Sequence, residues 1–281
     1  MEPQATTNQG DPDAMLRAIA AKFGAIDVSV QTNALLLADT RRRVARLEAL
    51  ASLAAANRKA TMPVLFQSQF GEDALVWSLL DGQLDGFFIE VGAFDGWNYS
   101  TTYAFEAIGW KGLLIEAIPE RCEVCRKGRA GSRVVNAALS RRGSAGDATF
   151  TIVQDHYGGM LSYNTTTPDH LGDLRQGGFR TRPVTVPLTS MDALLEGHKG
   201  EIDFASIDVE GGEADVLDGF DLDRWKPKVL LIEDNNRNNA AVRAHMQRFP
   251  YRFAGWLFVN AVYVRTDQPM VMRRAMELLT P

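Results

Sequence analysis

One short stretch of sequence decides the fold: Gly86-Phe87-Phe88-Ile89-Glu90-Val91-Gly92-Ala93-Phe94-Asp95-Gly96. Its apolar run predicts a buried strand that stops at an acidic residue and then breaks into two glycines four positions apart. Asn98 to Thr102 follow as the start of a helix. A strand, a tight turn and a helix start form a pocket at the carboxyl end of a parallel sheet, where open α/β folds bind ligands. The stretch therefore predicts an α/β fold with a nucleotide-type binding turn.

A second apolar strand, Gly112 to Ile115, ends in Glu116. It follows the turn by about twenty residues, the spacing at which an acid accepts hydrogen bonds from both hydroxyls of a ribose. Further strands are predicted in α/β order at Arg133–Ala138, Ile202–Ile207 and Lys228–Ile232, with a closing antiparallel pair near Tyr251–Phe258 and Ala261–Val264. We therefore expect a mostly parallel sheet flanked by helices.

A long interval separates Ala138 from Glu201 and contains strand-like runs at Ala148–Val153 and Pro183–Leu188. Long insertions near the binding edge of a sheet are usually functional or disordered. We interpret residues 140–200 as a substrate-facing insertion of a catalytic domain that covers residues 64–281.

The N-terminal part of the chain has a different pattern. Residues 1–13 are polar and predict a flexible terminus, and residues 14–56 carry apolar residues at alternating steps of three and four. The seam of this pattern is Leu16, Ile19, Phe23, Ile26, Val30, Asn33, Leu37, Thr40, Val44, Leu47, Ala51 and Ala54. It predicts a helical coiled coil that makes a homo-oligomer, a dimer or a trimer. The alternative is one long amphipathic helix that folds back on its own domain.

Composition excludes several classes of protein. The net charge of −5 gives no electrostatic basis for binding nucleic acid. No apolar run has the roughly 18 residues of a membrane span, and the N-terminus lacks the order of a signal peptide, so we expect a cytoplasmic protein. Cys122 and Cys125 are the only cysteines and form a single CxxC motif, without the flanking residues of a thioredoxin-type redox site or the second cysteine pair of a zinc site.

Five blocks in order resemble the FkbM family of S-adenosylmethionine-dependent methyltransferases, over about Gln67 to Glu233. They are SQFGED at 68–73, FFIEVGAFDG at 87–96, GWKGLLIEAIP at 109–119, NAALS at 136–140 and IDVEGGE at 207–213. The resemblance implies a class I methyltransferase (Rossmann-like) fold and O-methylation, often of sugar hydroxyls in glycans or natural products. The acceptor is then a sugar or glycan, and the N-terminal helix lies outside the resemblance.

S-adenosylmethionine as the cofactor requires neighbours for an amino-acid end, a ribose and an adenine. Gly92 and Gly96 are expected to let the backbone approach the ligand, and N–H groups near Phe94 to Asn98 to meet its carboxylate. The full predicted donor site is Glu90 for the ammonium, Glu116 for the ribose and Asn136 for the adenine edge, with Gly92, Asp95, Gly96, Ser100 and Asp208 around them. Strand-end acids that cap a neighbouring helix are the alternative for Glu90 and Glu116.

A sugar hydroxyl needs a base, a metal ion or both before it attacks. Catalytic roles are predicted for Asp208, Glu210 and His156, the last as a general base in the insertion. Asp208, Asp234 and Asn235 form a predicted site for a divalent cation, Mg²⁺ or Mn²⁺, by a short resemblance to catechol-type O-methyltransferases. Alternatively, Asp208 acts alone as the base.

Two other functions compete with methyl transfer. A nicotinamide-dependent oxidoreductase lacks support, because the turn has no GxGxxG triplet. A non-catalytic oligomeric scaffold that retains the cofactor pocket, as a partner of a glycan-assembly enzyme, remains the second hypothesis.

Overall fold

The computed structural model describes residues 12–154, 159, 161–163, 172, 174, 176–235 and 237–279, with side chains from residue 32 onwards. Of the predicted flexible terminus, residues 1–13, residues 1–11 lie outside this range, and Pro12 and Asp13 begin a helix. The chain divides into two compact units, residues 1–40 and residues 41–281.

The first helix crosses the boundary at residue 40, and the other described helices and strands lie in the second unit. The helices are α1 Pro12–Ala55, α2 Glu72–Leu79, α3 Tyr103–Ile108, α4 Pro119–Gly128, α5 Met191–Leu194, α6 Glu213–Asp218, α7 Leu222–Trp225, α8 Ala240–Met246 and α9 Pro269–Leu279. The strands are β1 Phe87–Val91, β2 Lys111–Glu116, β3 Arg133–Asn136, β4 Ala138–Leu139, β5 Asp147–Gln154, β6 Arg180–Thr189, β7 Phe204–Ile207, β8 Val229–Glu233, β9 Tyr251–Leu257 and β10 Asn260–Arg265.

A seven-stranded sheet organises the unit in the order β3-β2-β1-β7-β8-β10-β9. Neighbouring strands from β3 to β8 are parallel, whereas β10 is antiparallel to both β8 and β9. The predicted α/β class and its closing antiparallel pair are thus confirmed. The strand order reverses beside β1, which is the place where such sheets form a ligand-binding crevice.

Both faces of the sheet are buried. The central strands β1 and β7 accordingly have almost continuous apolar sequence. Phe88 faces a core that includes Phe204 and residues of α2, α3 and α9. Ile89 faces the opposite core with Ala205 and residues of α6 and α8. The alternation of side chains along a strand therefore fixes which residues of β1 lie on each side.

The second unit begins at Arg41, earlier in the chain than residue 64, where the catalytic domain is predicted to start. The last turns of α1 belong to this unit, because Ala45, Ala49 and Leu53 are buried in its core. The carboxylate of Glu48 on the same helix accepts a hydrogen bond from the Trp77 indole at 3.0 Å. Ala45, Ala49 and Leu53 recur at a spacing of four, so they lie on one face of the helix. Whether α1 also pairs with another chain stays a prediction.

The insertion and β4, which directly precedes it, form a second, three-stranded sheet in the order β4-β6-β5. Its antiparallel β5 and β6 confirm the two strand-like runs predicted there. Phe150, Ile152 and Val186 pack with Ile118 and Ala138, so the insertion covers the carboxyl ends of β2 and β3. No helix among the described residues combines the length and apolar character that a membrane span requires.

Candidate active site

The carboxyl ends of four parallel strands meet at one edge of the sheet. The register places Val91 of β1, Ile115 of β2, Ile207 of β7 and Ile232 of β8 at one level of the sheet. The next residues along these strands are Gly92, Glu116, Asp208 and Glu233. Residues that are far apart in the sequence therefore come together here.

A cleft opens at this edge between the main sheet and the insertion. Its space is about 800 Å³ when the part open to solvent is included. Glu116, Asp208 and Glu210 are the strand-end carboxylates in its wall. The apolar wall comprises Ile115, Ile118, Ala137, Ala138, Leu139 and Phe150, and Gly159 and Ser162 come from the insertion. The cleft thus combines an apolar side with an acidic side.

Gly92 begins the turn after β1 and has a φ of 81°. A Cβ atom at this position would lie 2.0 Å from the backbone oxygen of Asp208. The backbone N–H groups of Gly92 and Ala93 both donate to the Ile115 oxygen at 3.0 Å. Gly92 is therefore required by the close approach of β1, β2 and β7 at the floor of the cleft.

Glu116 is buried and its carboxylate is held from two sides. Oε2 accepts from the Phe94 N–H at 2.6 Å, and Oε1 accepts from the Ile118 N–H at 2.7 Å. Burial raises the pKa of this carboxyl to about 7, although the hydrogen bonds and Arg121 oppose the shift. A carboxylate has about four lone-pair sites, so each oxygen keeps an acceptor site for a ligand. Glu116 is thus positioned and poised to accept two hydroxyl groups.

Three carboxyl groups cluster on the acidic side of the cleft. Ligand oxygens of Asp208, Glu210 and Glu233 lie within 4.8 Å of one another. Burial, together with the charges of its acidic neighbours, raises the pKa of Glu233 well above its usual range. Asp208 faces solvent in the cleft, but the surrounding protein still limits its hydration and raises its pKa, and a hydrogen bond from Glu233 opposes this shift. Of these two carboxyl groups, Glu233 therefore binds a proton more readily than Asp208.

The loop that carries Asp208 and Glu210 is held by hydrogen bonds to the Glu213 carboxylate. Glu210 has a φ of 57°, which side chains other than glycine rarely adopt. Glu213 accepts hydrogen bonds from the Gly211 N–H at 2.9 Å and from the Val209 N–H at 3.3 Å. Glu213 therefore holds the loop in this strained shape and does not belong to the acid cluster.

The sequence matches the family model described as "Methyltransferase FkbM domain" over residues 90–253, which is more than half of the chain. The chain belongs to the FkbM methyltransferase family. The family expected from the five sequence blocks is thus confirmed. No curated protein gives a significant sequence match.

Among solved structures, this FkbM domain is similar to the one titled "Crystal Structural Analysis of the O-methyltransferase from Bacillus cereus in complex SAH". The identity is 15%, the TM-score is 0.32, and the match covers 79% of this chain and 91% of that chain.

Glu90 of the FkbM domain does not line the cleft. Its carboxylate accepts from the Ser100 hydroxyl at 2.9 Å and from the Thr101 N–H at 2.7 Å, and Thr102 donates a further bond. Arg129 lies 3.8 Å from it. The structure therefore places Glu90 and Ser100 beneath the start of α3, where the acid caps the segment that leads into the helix.

Arg129 is the residue that sequence reasoning missed. Its side chain is 1% exposed and bonds Glu106 at 2.9 Å, the Gly96 oxygen at 3.0 Å and Thr102 at 2.9 Å. In the sequence Arg129 comes just after Arg126 and Lys127 in the last turn of α4, where basic side chains are expected to be exposed to solvent. Its burial is therefore not expected from the sequence. The only hint in the sequence is the pair of acids, Glu90 and Glu106, that need a buried cation.

Other predicted donor-binding groups are also used by the protein itself. A Cβ on Gly96 would lie 2.7 Å from Cys125 Sγ, so this glycine serves packing against α4. Asp95 accepts from the N–H groups of Trp97 and Asn98 at 3.0 and 2.8 Å. These N–H groups, like that of Phe94, are therefore engaged within the turn. They are not directed at a ligand carboxylate.

Asn136 is level with Glu116, but its amide donates to the backbone oxygens of Glu116 and Ala117 at 2.8 and 2.9 Å. It positions the start of the insertion, and the residues that follow it in the cleft wall, Ala137, Ala138 and Leu139, are apolar. His156, the predicted general base, lies outside the described residues.

Two members of the predicted metal site, Asp234 and Asn235, have hydrogen-bond partners other than Asp208. Asp234 accepts from the N–H groups of Asn238 and Asn239 at 3.1 and 2.9 Å, so it shapes the loop before α8. The Asn235 amide donates to Glu233 at 3.0 Å. The acid brought beside Asp208 is Glu233, because Ile207 and Ile232 are in register.

Proposed function

We propose that this chain is an S-adenosylmethionine-dependent O-methyltransferase that acts on a hydroxyl group, most simply one of a sugar in a glycan or a glycosylated metabolite. The observation that carries the proposal is that Glu116 and Asp208 line one cleft. The Glu116 carboxylate suits the hydroxyls of a ribose, and the Asp208 carboxylate suits an acceptor hydroxyl that must lose its proton.

The residues of the cleft fit the donor. The two oxygens of Glu116 have acceptor sites left for the two ribose hydroxyls, after their bonds with Phe94 and Ile118. Ile118, Leu139 and Phe150 offer an apolar wall for the adenine ring. When bound, S-adenosylmethionine supplies an electrophilic methyl group on a sulfonium.

Asp208 is the proposed base. It lies on the acidic side of the cleft, where Glu233 donates a hydrogen bond to it and so keeps its negative charge localised near the acceptor. The acceptor O–H proton passes to the Asp208 carboxylate as the oxygen bonds to the methyl carbon and the sulfur–carbon bond breaks. The proposal routes no step through a metal ion, because Asp234 and Asn235 already have other partners.

A sugar acceptor is supported by the chemistry around Asp208. Glu210 and Glu233 add further carboxyl oxygens within 4.8 Å, and a sugar presents several hydroxyl donors to such a group.

The test is a screen of nucleotide sugars and glycans with labelled S-adenosylmethionine, followed by the variant Asp208→Asn. We expect the variant to bind the donor like the wild type and to lose about 10²–10⁴-fold in turnover, the usual contribution of a general base. Asp223→Asn, an exposed acid on α7, is the control and should be fully active.

Two outcomes contradict the proposal. Wild-type turnover by Asp208→Asn would exclude this residue as the base. A wild-type protein that binds no S-adenosylmethionine in calorimetry would favour the non-catalytic scaffold instead.

A further inference from the structure

A second pocket lies on the other side of the β8 end, between α8 and the edge strands β9 and β10. Its walls include Arg237, Arg243, Tyr251, Phe253, Trp256 and Tyr263, none of which lines the first cleft. The space is about 690 Å³ with its open part included. This size is within the range of small-molecule sites, which is about 300–1,000 Å³.

Two guanidinium groups give the pocket a positive charge. Arg237 donates from Nε and Nη2 to the Phe258 oxygen at 3.0 and 2.7 Å. Arg243 donates to the oxygens of Arg237 and Asn238 at 3.2 and 3.0 Å. Within the described part of the chain, the hydrogen bonds of both groups go to backbone carbonyls, which do not neutralise their charge. Each guanidinium has five N–H donors, so donors remain for an anion.

Aromatic rings form the other half of the pocket. The Phe253 ring lies 5.4 Å from the Trp256 ring and 5.6 Å from the Tyr263 ring, and Phe253 is 48% exposed. The Arg237 guanidinium lies 5.4 Å from the centre of the Trp256 ring. Both contacts of Phe253 are edge-on, and an exposed ring held in this way presents a face on which a planar group packs.

We propose that this pocket binds an anionic ligand with a planar ring, of the class of nucleoside phosphates. The guanidinium groups suit phosphate oxygens, and the aromatic wall suits a base. A simple inorganic anion leaves the aromatic half unused, and the volume exceeds what such an ion needs. The site does not depend on methyl transfer in the first cleft.

Calorimetry with uridine monophosphate tests the proposal on the whole chain, with S-adenosylhomocysteine present to fill the first cleft. A pyrimidine nucleotide is chosen because it lacks the adenosine of the methyl donor. We expect binding that is weakened about ten-fold or more by Arg243→Gln, the loss expected for a charged hydrogen bond. We expect Phe253→Ala to weaken it about five-fold or more, through lost stacking.

The matched control is Arg252→Gln, an exposed residue of β9 outside the pocket, which should bind like the wild type. Arg243→Lys keeps the charge and guards against a folding defect in the glutamine variant. The location is checked by the indole N–H resonance of Trp256, assigned by its loss in Trp256→Phe, which should shift on titration.

Three results would overturn the proposal. They are no binding of the nucleotide at millimolar concentrations, equal weakening by Arg252→Gln, or inorganic phosphate that binds as tightly as the nucleotide. Because no methyl acceptor is used, failure here is distinct from failure of the proposed methyl transfer.

Discussion

Glu116→Gln is the most informative perturbation of the donor site. The two carboxylate oxygens accept from Phe94 at 2.6 Å and from Ile118 at 2.7 Å. Glutamine has one acceptor oxygen, so its NH₂ group must face one of these two backbone donors and one ribose hydroxyl. The substitution therefore removes a charge and replaces an acceptor with a donor.

The size of the effect follows from these bonds. Hydrogen bonds to a charged group contribute about 1.5–3 kcal/mol each. Loss of one ribose bond and weakening of the other should cost about 2–4 kcal/mol, which is about a 30- to 700-fold rise in the donor Kd. Calorimetric titration with S-adenosylmethionine at pH 8 measures this directly.

The pH dependence gives a second readout. Burial raises the pKa of Glu116 to about 7, and only the ionised form accepts from both hydroxyls. Wild-type affinity should therefore be constant above this pH and fall about ten-fold for each pH unit below it. The glutamine variant should lack this dependence.

Glu90→Gln is the matched control, since Glu90 is a strand-end acid of the same sheet that does not line the cleft. It should lower the melting temperature, because its bonds to Ser100 and Thr101 are weakened, and change the donor Kd little. A wild-type Kd for Glu116→Gln, or an equal loss of affinity for Glu90→Gln, would refute the assignment.

Two further predictions concern stability and assembly. Gly92→Ala should lower the free energy of unfolding by about 2–5 kcal/mol, because the new Cβ overpacks against Asp208 and the φ is unfavourable. Gly143→Ala is the control, with a φ of 82° and no atom within 4 Å of the new Cβ, and should lower it by only about 1 kcal/mol. Equal losses in urea unfolding would contradict this reasoning. We also propose that α1 makes a dimer or trimer, since Val44 and Leu47 of its heptad seam are 47% and 68% exposed. Light scattering after gel filtration should give an oligomeric mass for the wild type that Leu47→Glu reduces, and a monomeric wild type would refute it.

The sequence determined the positions of the strands along the chain and the family. Apolar runs such as 87–91 and 229–233 are short, end at polar residues and sit in α/β order, so local patterning is sufficient to recognise them. It also located the acids at strand ends, because Glu116 and Asp208 directly terminate such runs.

Only the tertiary structure decided which acids face the cleft. Val91 pairs with Ile115, so Glu116 lies one step beyond the end of β1, level with Gly92, whereas Glu90 lies two steps lower and meets the start of α3. Register is a property of strand pairing, and the sequence of either strand alone does not contain it. The burial of Arg129 and the approach of Glu233 to Asp208 likewise depend on elements that meet only after folding.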